Sequence, residues 1–272
     1  MGKMIFLDID GTLVDFELRM PESARLALNE AKKNGHRIAI CTGRPYVNIY
    51  PWLLEIPFDG LVCSAGAYIK AADKVIYHHT MEWDRIQALT GLLMSHNAFY
   101  MLQGFDGGFA DKRNQRKLKE YFSGIGLGME RILGDMVLTD KIMERTQIEC
   151  GVYFGANADI RQLQAEIDEK LDGYFHITGA SFVDDMMHNG EVTCKGINKA
   201  TGIMRLLEHF KIDHSESVAI GDGPNDFDMI RYAHTGIVMG NSIEELKREA
   251  DYVTDRIEED GIYKAFIHFG FI

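Results

Sequence analysis

The chain reads as an α/β protein: a Rossmann-like parallel-sheet core with an inserted α+β cap domain. Three observations predict this. Apolar strands alternate with helical patterns at both ends of the chain, the alternation breaks between about Glu82 and Met187, and it resumes afterwards.

The first strand is the apolar run at residues 4–9, and a helix follows over Pro21 to Asn34, with Pro21 near its start and Gly35 as its stop. His36 to Cys41 is the next strand, Pro45 to Leu54 a short helix interrupted by Pro51, and Gly60 to Ser64 a third strand. Ala67 to His79 favours a hairpin around Ala72-Asp73-Lys74. The middle carries two long helical patterns, near Trp83 to His96 and Ala158 to Leu171, with strand-like runs such as Gln147 to Phe154 between them. Trp83, Ile86, Leu89 and Leu93 share one helical face, the pattern of core packing. Late in the chain come a helix over Lys195 to Phe210, a strand over Ser217 to Ile220, a helix over Asn225 to Ala233, a strand over Thr235 to Met239 and a helix over Ser242 to Ala250. The expected domains are a catalytic core of residues 1–81 and 188–272 and an insert of residues 82–187, which two crossing segments would let act as a lid.

Bulk properties narrow the function. The 272 residues are 46% hydrophobic and 26% charged, normal for a soluble globular protein of one large domain or two of ordinary size. A net charge of −12 argues against nucleic acid as partner, because phosphate-backbone binding needs a basic footprint. No apolar run approaches a membrane span, and Met1-Gly2-Lys3 leads directly into a strand, so the expected location is cytoplasmic. Cys41, Cys63, Cys150 and Cys194 lie far apart with no C-x-x-C pair, which points to buried reduced thiols.

Chemistry gathers at the strand ends. Asp8 and Asp10 close the first strand, and Asp is a poor strand former and costly to desolvate unpaired. In an open parallel sheet the carboxyl ends of strands face a common crevice, and Gly11 lets the chain turn there. The second strand runs into Thr42-Gly43-Arg44-Pro45, a hydroxyl and a Gly before a helix start, which together make an anion cradle. After the Ser217 strand comes Gly221-Asp222-Gly223-Pro224-Asn225-Asp226, and Lys195 opens a helix between these motifs. Carboxylates meeting in one crevice repel unless a cation joins them, and oxygen-only ligands call for a hard ion, most simply Mg2+. A phosphate beside Mg2+, Lys195 and Thr42 would be neutralised, and Asp8 would attack phosphorus in line.

The ordered set Asp8-Ile9-Asp10-Gly11-Thr12, Thr42-Gly43-Arg44, Lys195-Gly196 and Gly221 to Asp226 resembles the haloacid dehalogenase superfamily of phosphohydrolases. Within it the chain is similar to the Cof-type sugar phosphatases with a large α/β cap, a match that extends to Gly240-Asn241, Ala250 to Thr254 and Asp260-Gly261-Ile262. The resemblance implies a phosphomonoester hydrolase acting on small sugar phosphates or related phosphorylated metabolites through an aspartyl-phosphate. It implies Asp8 as nucleophile and metal ligand, and Asp10 as general acid and base whose backbone carbonyl helps hold Mg2+. Asp222 would be a metal ligand, and Lys195 would steady Asp8. Thr42, Gly43 and Asn225 would bind phosphate, and Asp226 would support the metal or the lysine. One departure is Ser64-Ala65-Gly66-Ala67, where relatives often carry Asn-Gly. A phosphomutase of the same superfamily and a non-enzymatic phosphoacceptor module stand as alternatives. For specificity the segments Gln103 to Asn114 and Ile177 to His188 are the candidates, with Lys112, Asp184, Asp185 and His188 as polar residues within them.

Overall fold

The computed structural model describes residues 2–15, 17–124, 137–141, 147–180 and 185–272. In chain order the strands are β1 (Met4–Leu7), β2 (Arg37–Cys41), β3 (Gly60–Cys63), β4 (Tyr68–Ala71), β5 (Lys74–His78), β6 (Phe99–Gly104) and β7 (Gly107–Phe109). There follow β8 (Leu138–Thr139), β9 (Ile148–Phe154), β10 (Phe175–Gly179), β11 (Gly190–Cys194), β12 (Ser217–Gly221), β13 (Thr235–Val238) and β14 (Tyr252–Val253). The chain divides into two compact units, one of Met1–Gly43, Pro57–Tyr77 and Asn198–Ile272, the other of Arg44–Ile56 and His78–Ile197.

The first unit is built on a sheet of order β14-β13-β12-β1-β2-β3-β4-β5. Pairing is parallel from β14 to β3 and antiparallel between β3 and β4. The register Leu7↔Ile220 and Leu7↔Ile40 ends β1, β12 and β2 level with one another. Asp8, Thr42 and Asp222 therefore leave the sheet on the same edge, where a doubly wound sheet collects its ligands. Met4 to Leu7 are fully buried, the signature of a central strand covered on both faces. The Glu22–Lys33 helix begins after Pro21 and ends before Gly35, as expected from the sequence. The Lys199–Phe210 helix buries Gly202, Ile203, Leu206 and Leu207 toward the sheet, an i, i+1, i+4, i+5 stripe. Where the sequence pattern predicts a helix over Pro45 to Leu54, a single 3-10 turn over Tyr46–Asn48 is followed by turns, since Pro51 has no N–H to continue a helix.

The second unit has a six-stranded sheet of order β10-β11-β9-β6-β7-β8. It is antiparallel except for the β7–β8 pair. Helices span Trp83–Ser95, Lys112–Gly124 and Ile160–Lys170; the last is capped by Asp159, whose side chain accepts from Gln162 N–H at 2.9 Å. Phe99, Met101, Leu118, Phe122, Val152 and Phe154 form its core. Ile86, Leu89 and Leu93 are buried as the periodicity requires, but Trp83 is 38% exposed, because it opens the helix where the stripe begins. The unit boundaries differ from the sequence expectation at three places, the first being residues 78–81, which group with the second unit. β11 pairs with both β9 and β10, which carries the boundary from 187 on to 197, and Arg44–Ile56 joins this unit, with Val47 packed on its core. Of the candidate specificity segments, residues 181–184, including Asp184, lie outside the described residues. No helix among the described residues is long and apolar enough to cross a membrane.

Candidate active site

Asp8 stands one residue beyond β1 and is 5% exposed, its N–H donating to Ile220 O at 3.0 Å. Its carboxylate Oδ1 accepts from Lys199 Nζ at 2.9 Å, and the same ammonium donates to Asp226 Oδ1 at 2.5 Å. Asp226 is fully buried, and its second oxygen accepts the N–H groups of Asp222 at 2.9 Å and Gly223 at 2.8 Å. Both Asp226 oxygens are thus committed, one to the lysine and one to the turn that presents Asp222.

Asp222 is held from several sides. Thr12 Oγ1 donates to its Oδ1 at 2.7 Å, Asn241 Nδ2 approaches its Oδ2 at 3.4 Å, and Ser242 Oγ donates to its carbonyl at 2.7 Å. Asn241 also donates to Gly11 O at 2.9 Å, tying the loop after β13 to the turn after Asp10. Asp10 is half-buried, in a bridge with Val14 that closes this turn. Thr42 is buried at the end of β2; its N–H donates to Val62 O at 2.8 Å and its carbonyl accepts from Ala65 N–H at 3.0 Å. Gly43 and Asn225 are both half-buried, on the loops after β2 and β12. Arg44 is engaged locally, donating to Asn48 O at 3.1 Å and Tyr50 Oη at 2.6 Å.

The lysine of the site is Lys199, not Lys195. Lys195 is exposed in the turn after β11, where its N–H donates to Tyr174 O at 2.9 Å. The sequence expectation ran the helix from Lys195, but Asn198 caps it: its side chain accepts from Thr201 N–H, and Thr201 Oγ1 accepts from Asn198 N–H. Asn-x-x-Thr before an apolar stripe was the available signal. It starts the helix at Lys199 and puts that lysine one turn before Gly202 and Ile203, on the buried face. The supporting roles of Thr12, Asn241 and Ser242 carried no such signal, since they depend on which loops the sheet order brings side by side.

Charge dominates the site. Burial pushes the Asp8 carboxyl up to about 7; Lys199 pulls it down, and Asp226 and Asp10 push it further up. Burial, then the charges of Asp226 and Asp8, raise Asp222 well above the usual carboxylate range. Burial alone would discharge Lys199, yet the carboxylates of Asp226 and Asp8 outweigh it and hold its pKa well above the ordinary lysine value. Oxygens of Asp8, Asp222 and Asp226 lie within 4.8 Å of one another. One ammonium against this many carboxylates leaves an anionic excess, and an all-oxygen donor set suits a hard divalent cation.

A haloacid dehalogenase-like hydrolase family model matches residues 5–266. YkrA of Bacillus subtilis (strain 168) is 29% identical over 274 residues, covering 100% of this chain and 99% of that protein. The 5-amino-6-(5-phospho-D-ribitylamino)uracil phosphatase YcsE of the same organism is 26% identical over 270 residues, covering 98% of this chain and 95% of that protein. Among solved structures, the HAD subclass IIB sugar phosphatase BT4131 superposes with a TM-score of 0.81 at 30% identity, over 99% of this chain and 100% of that one. The buried Asp8 at the end of the first strand thus has its context, and the chain belongs to the haloacid dehalogenase-like hydrolases of the Cof type, as a phosphatase.

Proposed function

We propose that the chain is a Mg2+-dependent phosphomonoester hydrolase that works through an aspartyl-phosphate on Asp8, on small sugar phosphates or related phosphorylated metabolites. The observation that carries this is the Asp8–Lys199–Asp226 relay, in which a buried carboxylate at a strand end is fixed by an ammonium 2.9 Å away while Asp222 stands beside it. Mg2+ would be held by Asp8, Asp222 and the backbone carbonyl of Asp10, and when bound it supplies charge neutralisation between the carboxylates and the phosphate. Asp226, with both oxygens already hydrogen-bonded, supports Lys199 and the Asp222 turn.

Lys199 holds Asp8 through Oδ1, and Oδ2 is the oxygen proposed to attack phosphorus. As the new P–O bond forms, the ester P–O bond breaks, and the departing alkoxide takes a proton from the Asp10 carboxyl. Asp10, now a carboxylate, removes a proton from a water that attacks the acyl phosphate at phosphorus. The Asp8–P bond breaks, inorganic phosphate leaves, and both aspartates return to their starting states. Thr42, Gly43 and Asn225, on the loops after β2 and β12, are the residues proposed to bind the phosphoryl oxygens. The substrate class follows the relatives: a sugar phosphatase and a phosphatase of a phosphorylated ribityl compound.

The test is inorganic phosphate release from a panel of sugar phosphates, polyol phosphates and nucleotides, with Mg2+ and with EDTA. Turnover of one or more small phosphorylated polyols or sugars, silenced by EDTA and restored by Mg2+, is the expected result. Undiminished activity after exhaustive chelation, or none on any ester, contradicts the proposal.

A further inference from the structure

We infer that Gly66 and Gly202 are positioning residues for Lys199: two missing side chains let its helix seat directly on β3 and the turn that follows, and this seating sets the distance from Lys199 to Asp8. The inference rests on the phosphatase site described above and adds to it the elements that aim the lysine.

The turn after β3 is unusual. Ser64, Ala65 and Gly66 have φ of 49°, 50° and 105°, three left-handed residues in succession, two of them bearing side chains. Such conformations persist where the surroundings over-determine them. Here Ala65 N–H donates to Thr42 O at 3.0 Å and Ala67 N–H to Ser64 O at 3.1 Å, with Ser64 fully buried. The outcome is that Gly66 meets Asn198: a Cβ on Gly66 would lie 2.3 Å from Asn198 O. That carbonyl opens the helix, accepting from Gly202 N–H at 3.1 Å. One turn on, a Cβ on Gly202 would lie 2.3 Å from Val62 Cγ1 and 3.4 Å from the Gly66 Cα. The helix is therefore in contact with β3 and its turn on either side of Lys199, at the residue before it and three residues after it.

From this seat Lys199 reaches Asp8 at 2.9 Å and Asp226 at 2.5 Å. Carbon atoms rest at about 3.5–4.0 Å, so a methyl forced in at Gly202 either turns the buried Val62 side chain or moves the helix or the strand by roughly 1 Å, and the positioning role rests on the second. An N–H···O bond weakens beyond about 3.2 Å, and misplacements of this size cost on the order of 100-fold in turnover. Simple core packing would also use a glycine here, but it predicts lost stability without a selective loss of kcat.

The experiment compares wild type, Gly202→Ala, Val62→Ala and the double variant with p-nitrophenyl phosphate and Mg2+, alongside Lys199→Met. Gly202→Ala is expected to lose more than about tenfold in kcat with KM within about twofold. Val62→Ala, which removes the methyl that the new Cβ would strike, is expected to return the double variant to within about threefold of Val62→Ala alone. Should Gly202→Ala fail to fold by circular dichroism, Val62→Ile supplies a milder push from the strand side and is read in the same way. A wild-type kcat in the encroaching variant, or a loss that Val62→Ala leaves untouched, overturns the inference. Lys199→Met separates the two levels: if it retains turnover the site reading fails, whereas a dead Lys199→Met beside a fully active Gly202→Ala removes only the positioning role.

Discussion

Lys199 Nζ lies 2.9 Å from Asp8 Oδ1 and 2.5 Å from Asp226 Oδ1, with neither the lysine nor Asp226 exposed. A buried ammonium between two carboxylates is held in place by both, and removing it leaves the two carboxylates uncompensated in a dry interior. Lys199→Met is therefore expected to abolish turnover and to lower stability by roughly 3–5 kcal/mol at neutral pH without metal. Lys195→Ala, on an exposed turn, should change stability by no more than about 0.5 kcal/mol and leave kcat unaltered. Urea melts and steady-state rates on the two variants check both statements.

Asp226 and Asp222 should separate by what they do to metal binding. Asp226→Asn turns an amide toward the Lys199 ammonium or toward two backbone N–H groups, so it is expected to destabilise by about 3 kcal/mol and to lower kcat. Asp222→Asn should instead weaken the Mg2+ affinity most, by at least about tenfold. Calorimetric titration with Mg2+ alone reads this difference; equal losses in both variants would place Asp226 among the metal ligands.

The raised Asp8 carboxyl makes both stability and metal binding depend on pH. Its folded value of about 7 exceeds the ordinary carboxylate value of 3.8, so between these limits the folded protein binds more protons than the unfolded chain. Stability of the metal-free protein then falls as pH rises from about 4 to about 7. Mg2+ acts in the opposite sense, because Asp8 must give up its proton to bind it, so stabilisation by Mg2+ should be large at pH 8 and fade below pH 7. At 100 times its dissociation constant the ion should contribute about 2.7 kcal/mol. Thermal melts at pH 5, 6, 7 and 8, with and without Mg2+, test the sign; an equal Mg2+ shift at all four pH values would exclude Asp8 as a ligand.

Much of this site is legible in the chain because parallel β strands convert sequence order into spatial convergence. Asp8, Thr42 and Asp222 each follow an apolar run, and level strand ends do the rest. Lys199 was hidden by a local ambiguity: Lys195-Gly196 lies four residues away, and only the Asn198–Thr201 capping pair decides which lysine starts the helix. The grip of Thr12, Asn241 and Ser242 on Asp222 depends on loops from different strands meeting, which no spacing along the chain encodes. The same holds for Arg44–Ile56, which groups with the second unit and whose Val47 packs against the cluster that contains Phe99, Leu118 and Phe154.

The division of labour between the two early aspartates makes a prediction about leaving groups. Asp10→Asn should hydrolyse sugar phosphates at less than about one-hundredth of the wild-type rate, since the poor alkoxide leaving group then lacks its proton donor. The first step with p-nitrophenyl phosphate, whose phenolate needs little protonation, should be much less affected. Burst kinetics at 405 nm, about one equivalent of p-nitrophenol followed by slow turnover, would register this.

Phosphorylation of Asp8 is read from its covalent state in that same variant. Asp10→Asn protein quenched in acid after mixing with p-nitrophenyl phosphate and Mg2+ is digested, and the peptide of residues 4–19 is weighed with and without hydroxylamine. An acyl phosphate on Asp8 predicts a phosphoryl mass increase on this peptide that hydroxylamine removes, and its absence in the Asp8→Asn, Asp10→Asn double variant. Equal proportional loss on good and poor leaving groups, with no labile adduct at any time, would mean direct attack by water and would contradict Asp8 as the nucleophile.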